Sequence, residues 1–196
     1  MTPVSAARGA RQDSHKRWRT RIALAGLSAG ALVALAWTSF LPPLPRLTYN
    51  PTASVAVGWY RVDPLQRGAN GLLRPVVVDD IVLVPLPTEM AALAAHRGYL
   101  PMHVPLLKRV GAVAPQTVCI VGGVVRIDGV PAAAAMSADR LGRPLSSWRS
   151  CRRLETGELF LLSLTDPASF DSRYFGPVRV SDLLGVAHPV WLDTPS

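Results

Sequence analysis

Hydrophobic positions form one unbroken run near the start of the chain and shorter, interrupted patterns after it. Residues 22–40, IALAGLSAGALVALAWTSF, hold no charge, and only Ser28, Thr38 and Ser39 break their apolar character. About nineteen residues at a helical rise span roughly 28 Å, close to the hydrocarbon thickness of a bilayer. A helix of a soluble core would carry a polar stripe. The pattern therefore predicts a transmembrane anchor over residues 22–41. A cleaved signal peptide has a similar layout, but the run is long for one and LPPLP, Leu41 to Pro45, makes a poor cleavage site. Gly26 and Gly30 stand at GxxxG spacing, a weak signal for helix association by itself, and Trp37 suits an interfacial position.

Beyond the prolines the pattern shortens. Val76–Val84 reads as strand material on both sides of Asp79-Asp80. Val118–Val130 alternates around two hairpin signals, Gly122-Gly123 and Asp128-Gly129. Leu159–Leu164 reads as a buried strand. Thr88–Leu100 differs: Ala and Leu favour helix, Thr88 is placed to cap its start and Gly98 to stop it. Residues 132–149, rich in Ala, Ser, Arg and Pro, read as loop, and no internal repeat is present. The expected architecture is a mainly β domain with a short helix, preceded by one N-terminal transmembrane helix.

Charge sharpens this picture. The formal net charge of +8 suggests nucleic acid until its location is considered. Arg8, Arg11, Lys16, Arg17, Arg19 and Arg21 against Asp13 put +5 into the first 21 residues, leaving +3 for the other 175. A basic tail on a near-balanced body, without zinc-finger spacing or a basic-aromatic pattern, argues against nucleic-acid binding. Cations before an apolar span place the N-terminus in the cytoplasm. The expected organisation is a cytoplasmic tail over 1–21, an anchor in membrane lipid over 22–41 and an extracytoplasmic domain over 42–196. That describes a single-pass protein of the inner (cytoplasmic) membrane with its domain in the periplasm. Cys119 and Cys151 both fall on the oxidising side, where a disulfide is expected rather than half of a metal site.

Two residues carry the first hint of chemistry. Ser54 stands in NPTASVAVGWY just beyond the anchor, and Lys108 stands inside the apolar run VPLLKRV. An ordinary serine is loop filler, and an ordinary lysine lies on a solvated face. A lysine kept in apolar surroundings loses proton affinity, and a neutral amine beside a serine hydroxyl makes a Ser–Lys hydrolase dyad.

Three blocks in order extend the hint. Asn50, Thr52, Ser54, Gly58 and Tyr60 fit N-x-T-x-S-x-P-x-G-x-Y, with Ala56 in place of the proline. Lys108, Arg109 and Val110 form the second block, followed by Ala114-Pro115 where a Pro-Gly turn is usual. Ser169, Asp171, Ser172, Arg173, Phe175 and Gly176 complete S-x-D-S-R-x-F-G, and Gly185, Ala187 and Pro189 follow as G-x-A-x-P. From the anchor to Trp191 the chain resembles the S26 family of membrane-anchored signal peptidases, in particular its conjugative-transfer (TraF-type) branch, which matures pilin subunits.

That resemblance implies a serine endopeptidase without cofactor or metal. Ser54 would be the nucleophile and Lys108 the general base. Thr52, with backbone N–H groups at Ser54, would form the oxyanion hole, and Ser169 would orient the lysine amine. Asp171 would pair with Arg173 to brace its loop, and in this branch the aspartate also matters for activity. The plain alternative for that pair is a turn contact worth under about 1 kcal/mol. The substrate implied is an exported, pilin-like precursor with small side chains near the cut, handled beside the conjugation machinery, by hydrolysis or by cyclisation. The departures at Ala56 and Ala114-Pro115 motivate a rival: an inactive scaffold of a secretion or pilus assembly. Missing the proline, the backbone after Ser54 is expected to be less constrained. His15, His96, His103 and His188 sit in no triad motif and read as surface or loop residues, and Asp79, Asp80, Glu155 and Glu158 read as turn and strand-edge charges rather than a paired-carboxylate acid/base site.

Overall fold

In the computed structural model, the described residues are Trp18, 21–33, 46–68, 71–72 and 74–193. The chain divides into two units, Met1–Pro43 and Leu44–Ser196. In the first, residues 21–33 are helical (α1). Among the described residues no helix is long and apolar enough to cross a membrane, and the expected anchor over 22–41 runs beyond them. Most of the expected tail over 1–21 also lies outside the described residues.

The second unit is built from antiparallel strands. β1 (Arg46–Asn50), β2 (Gly58–Asp63), a two-residue hairpin β3 (Arg67–Gly68) and β4 (Gly71–Leu72), and β5 (Ile81–Val84) come first. The helix α2 (Thr88–His96) leads to β6 (Leu106–Val113), then β7 (Thr117–Val121), β8 (Val124–Ile127) and β9 (Val130–Ala134). β10 (Cys151–Arg153), β11 (Glu158–Leu161), the one-turn α3 (Ser172–Phe175), β12 (Val178–Arg179) and β13 (Gly185–Leu192) complete it. The larger sheet has seven strands in the order β1-β2-β13-β5-β6-β11-β12, and a second sheet has four, β10-β7-β8-β9. The mainly β expectation describes this unit.

Both expected hairpins form. Positive φ at Gly122 and Gly123, and at Asp128 and Gly129, gives the backbone twist that two-residue turns between paired strands require. Other expectations shift. Val76–Val78 is not a strand: the Asp80 carboxylate accepts the Val77 N–H and an Arg74 guanidinium bond, and Asp79 turns the chain at φ 74°. Thr88 is the first residue of α2 and not its cap, because Pro87 occupies the cap position and no side chain satisfies it. Gly98 does end the helix region, at φ 72°. The expected loop from Ala132 to Arg149 begins inside β9, and the expected strand Leu159–Leu164 stops at Leu161, where the chain turns towards the cleft.

Of four apolar clusters among the described residues, two pack on opposite faces of β11. Val82, Val84, Val110, Leu159, Leu161 and Val186 fill one, and Ala112, Val118, Val125, Leu154, Phe160 and Leu162 fill the other. Successive residues of β11 face opposite layers, so Leu159 and Leu161 pack on one while Phe160 packs on the other. Each Val, Leu or Phe side chain among them contributes about 1.5–3 kcal/mol when taken from water. Cys119 and Cys151 face each other across β7 and β10 and form a disulfide with a sequence separation of 32. In the chain-entropy picture closure of such a loop contributes about 3–4 kcal/mol. Protein purified without reductant is expected to show no thiol open to alkylation after unfolding. Two alkylated cysteines would contradict the bond.

Candidate active site

Ser54 sits in the seven-residue connection between β1 and β2, and a single side chain shapes that connection. Asn50, buried at the end of β1, donates from Nδ2 to the carbonyls of Thr52 (2.7 Å), Val55 (3.1 Å) and Ala56 (3.0 Å). Its Oδ1 accepts from the Thr52 N–H (3.3 Å) and from Thr52 Oγ1 (3.0 Å). Three carbonyls on one side leave only one orientation for this amide, since a flipped oxygen would face three acceptors. Tyr60, also buried, donates its hydroxyl to the Ala56 carbonyl at 2.7 Å. The constraint expected to be lost with the proline is thus supplied by Asn50 and Tyr60 acting on Ala56.

Proton accounting follows from that orientation. Thr52 spends its hydroxyl proton on Asn50, so in the 3.0 Å contact with Ser54 Oγ the serine is the donor. Ser54 is 6% exposed, held with its hydroxyl proton on Thr52.

Lys108 lies near the start of β6, paired with Val82 on β5, and is only 3% exposed. Burial strips water from its ammonium and lowers its pKa from 10.5 to about 8. Asp171 and Asp166 pull it back up, and Arg173 pushes it further down. Its Nζ donates to Ser169 Oγ. That bond fixes one N–H and leaves the lone pair of the neutral amine available.

The segment from Leu162 to α3 joins these parts. Arg173 and Asp171 are both 0% exposed and pair through Nε–Oδ1 (2.7 Å) and Nη2–Oδ2 (2.8 Å). The same guanidinium donates to the carbonyls of Ala134, Pro167, Asp166 and Ser169, tying β9 to the loop that carries Ser169. Oδ2 of Asp171 also accepts the Ser163 N–H at 3.0 Å, and Oδ1 accepts the Arg173 N–H as an N-cap. The turn-contact alternative for this pair therefore does not describe it: both members are buried, and the guanidinium is fully hydrogen-bonded within the protein.

Ser54, Lys108 and Ser169 open into one cleft of about 850 Å³, lined also by Thr48–Ala53, Gly98–Pro101 and Val104–Leu107. Leu83, Leu86, Leu106, Leu107 and Phe170 make much of the lining apolar. A largely apolar cleft that holds a hydroxyl and an amine of lowered basicity has the parts for acyl transfer. The residues expected from the sequence, Thr52, Ser54, Lys108, Ser169, Asp171 and Arg173, come together from three separated stretches. His188 lies elsewhere, on β13, 3.6 Å from Asp63 of the neighbouring β2, and half-exposed. Glu158 is held by Arg152 at 2.7 Å and 2.9 Å. Sequence reasoning missed Ser163 and Thr165. Their only trace is two hydroxyl residues set among the leucines of LLSLT immediately before the third block.

The family model described as signal peptidase, peptidase S26, matches residues 19–192 of the chain. A plasmid transfer protein TraF of Escherichia coli is 31% identical over 175 residues, covering 84% of this chain and 92% of its own. A conjugal transfer protein TraF of Agrobacterium tumefaciens is 39% identical over 155 residues, 74% of this chain and 82% of that one. A solved signal peptidase I of Enterococcus faecalis aligns with 58% of this chain and 97% of its own, at 21% identity and a TM-score of 0.37.

Proposed function

Because this chain belongs to the signal peptidase family S26 and has conjugal transfer proteins among its relatives, we propose that it is a membrane-anchored Ser–Lys endopeptidase. The observation that carries the reading is the buried Lys108 amine, lowered to about 8 and sharing one cleft with Ser54. Ser54 attacks a peptide carbonyl while Lys108 takes its proton, then returns that proton to the leaving amine. The N–H of Ser54 receives the developing oxyanion. Thr52 joins it when its hydroxyl proton rotates away from Asn50, each such donor contributing about 3 kcal/mol in the transition state. Ser169 holds the amine through its remaining N–H, and Asp171 with Arg173 holds the loop that carries Ser169.

The substrate class is an exported, pilin-like precursor with small residues at the cut, processed beside the conjugation machinery. Residues 22–41 anchor the chain in the inner membrane with residues 1–21 in the cytoplasm, so the cleft lies in the periplasm, where the precursor emerges. The Cys119–Cys151 bond suits that oxidising side. The test is incubation of the detergent-solubilised protein with a candidate precursor, read by mass spectrometry. Wild type is expected to release a defined fragment and Ser54→Ala none, with circular dichroism unchanged between them. A folded Ser54→Ala that cleaves like wild type removes the serine mechanism, and a wild type inert towards all such precursors favours the scaffold.

A further inference from the structure

We propose that Ser163 is a positioning residue for the nucleophile, linking the Asp171–Arg173 pair to the backbone of Ser54. The inference rests on the peptidase reading and deepens it. Four buried groups stand in series. Arg173 holds both oxygens of the Asp171 carboxylate, Asp171 Oδ2 also accepts the Ser163 N–H at 3.0 Å, and Ser163 Oγ donates to the Ser54 carbonyl at 2.9 Å. Ser163 is 2% exposed, so this hydroxyl has little competition from water. Two residues on, Thr165 Oγ1 donates to the neighbouring Ala53 carbonyl at 2.7 Å. The nucleophile connection is therefore gripped from both sides: Asn50 holds the carbonyls of residues 52, 55 and 56, and Ser163 with Thr165 holds those of 53 and 54.

This arrangement explains how Asp171 can matter for cleavage without touching either member of the dyad. Lys108 bonds Ser169, not Asp171, whereas the carboxylate fixes the backbone of the residue that holds Ser54. The bland reading of Ser163 is a turn former, because its Oγ also accepts the Asp166 N–H at 3.1 Å. A turn former would matter for stability alone. A positioning residue moves the rate at an unchanged affinity.

The experiment compares wild type, Ser163→Ala, Thr165→Val and Ser54→Ala on one precursor peptide, with hydrogen exchange followed on the segment 50–60. Ser163→Ala is expected to lower kcat about tenfold, as a small misplacement of a reacting atom does, with KM within twofold. The pH midpoint stays in place, because Lys108 keeps its surroundings, and exchange in 50–60 speeds up. A kcat within twofold of wild type, or exchange in 50–60 equal to wild type, overturns the inference. Should Ser163→Ala fail to fold, Thr165→Val carries the same readouts in the same direction, since it removes a hydroxyl at an exposed site. Absence of Ser54-dependent cleavage in wild type fails the peptidase reading itself. Wild-type cleavage with an unaffected Ser163→Ala fails only this one.

Discussion

Lys108→Arg is expected to abolish precursor cleavage, by at least about a thousandfold in kcat, while the domain stays folded. The scale is that of losing the base and, with it, the activated nucleophile. A guanidinium remains protonated at every accessible pH and has no lone pair to take the Ser54 proton. Lys108→Met, which suits the same apolar surroundings, is expected to be equally inactive and at least as stable, since it removes a buried charge without leaving a counter-ion that depended on it. The wild type provides the companion measurement. With the folded pKa near 8, roughly a tenth of the amine is neutral at pH 7, and kcat/KM is expected to rise with pH and level off above the midpoint.

The same shift has a stability consequence whose slope with pH has the sign of a paired carboxylate's but falls in an alkaline window. Well below pH 8 the lysine is almost wholly protonated in both states. Between about 8 and 10.5 the unfolded chain binds one proton more than the folded one, so the contribution of Lys108 makes stability rise with pH across that window. Chemical unfolding of wild type and Lys108→Met in parallel isolates this contribution. A folded Lys108→Arg that cleaves at near the wild-type rate would exclude the dyad.

Arg173→Leu is expected to cost the domain about 3–5 kcal/mol, because it strands a carboxylate that is fully buried. For a unit of this size that lowers the melting temperature by roughly 10 °C. The guanidinium also satisfies four carbonyls, including those of Ser169 and Ala134, so its loss frees the Lys108 partner and uncouples β9 from the site. Replacement of both members by Leu and Met is expected to recover part of the stability and none of the activity. A single Arg173→Leu that melts within 2 °C of wild type (the scale of about 1 kcal/mol or less) would return the pair to the rank of a surface contact.

The sequence alone determined the local features: where the apolar run lies, where hairpins turn at Gly122-Gly123 and Asp128-Gly129, and which cysteines pair. It also carried three motif blocks whose order pointed to the dyad. These are legible because turn conformation, hydrophobic runs and catalytic residue types are properties of short segments. The strands β1, β2, β6 and β13 were not legible. In β2 the exposed Trp59 and the buried Tyr60 are both aromatic, so alternation of hydrophobic character is hidden although alternation of burial is strict.

Only the tertiary structure decided that Lys108 is desolvated, since its neighbours in sequence supply part of its surroundings and β5 and the Ser169 loop supply the rest. It decided that Asp171 and Arg173 are buried, a fact their two-residue spacing leaves open. It replaced a missing proline by Asn50 and Tyr60. Ser163 shows the physical reason most plainly: its bond to Ser54 joins residues 109 positions apart. Such a contact exists only once the β11 turn is folded against the β1–β2 connection, and nothing within either segment encodes the distance between them.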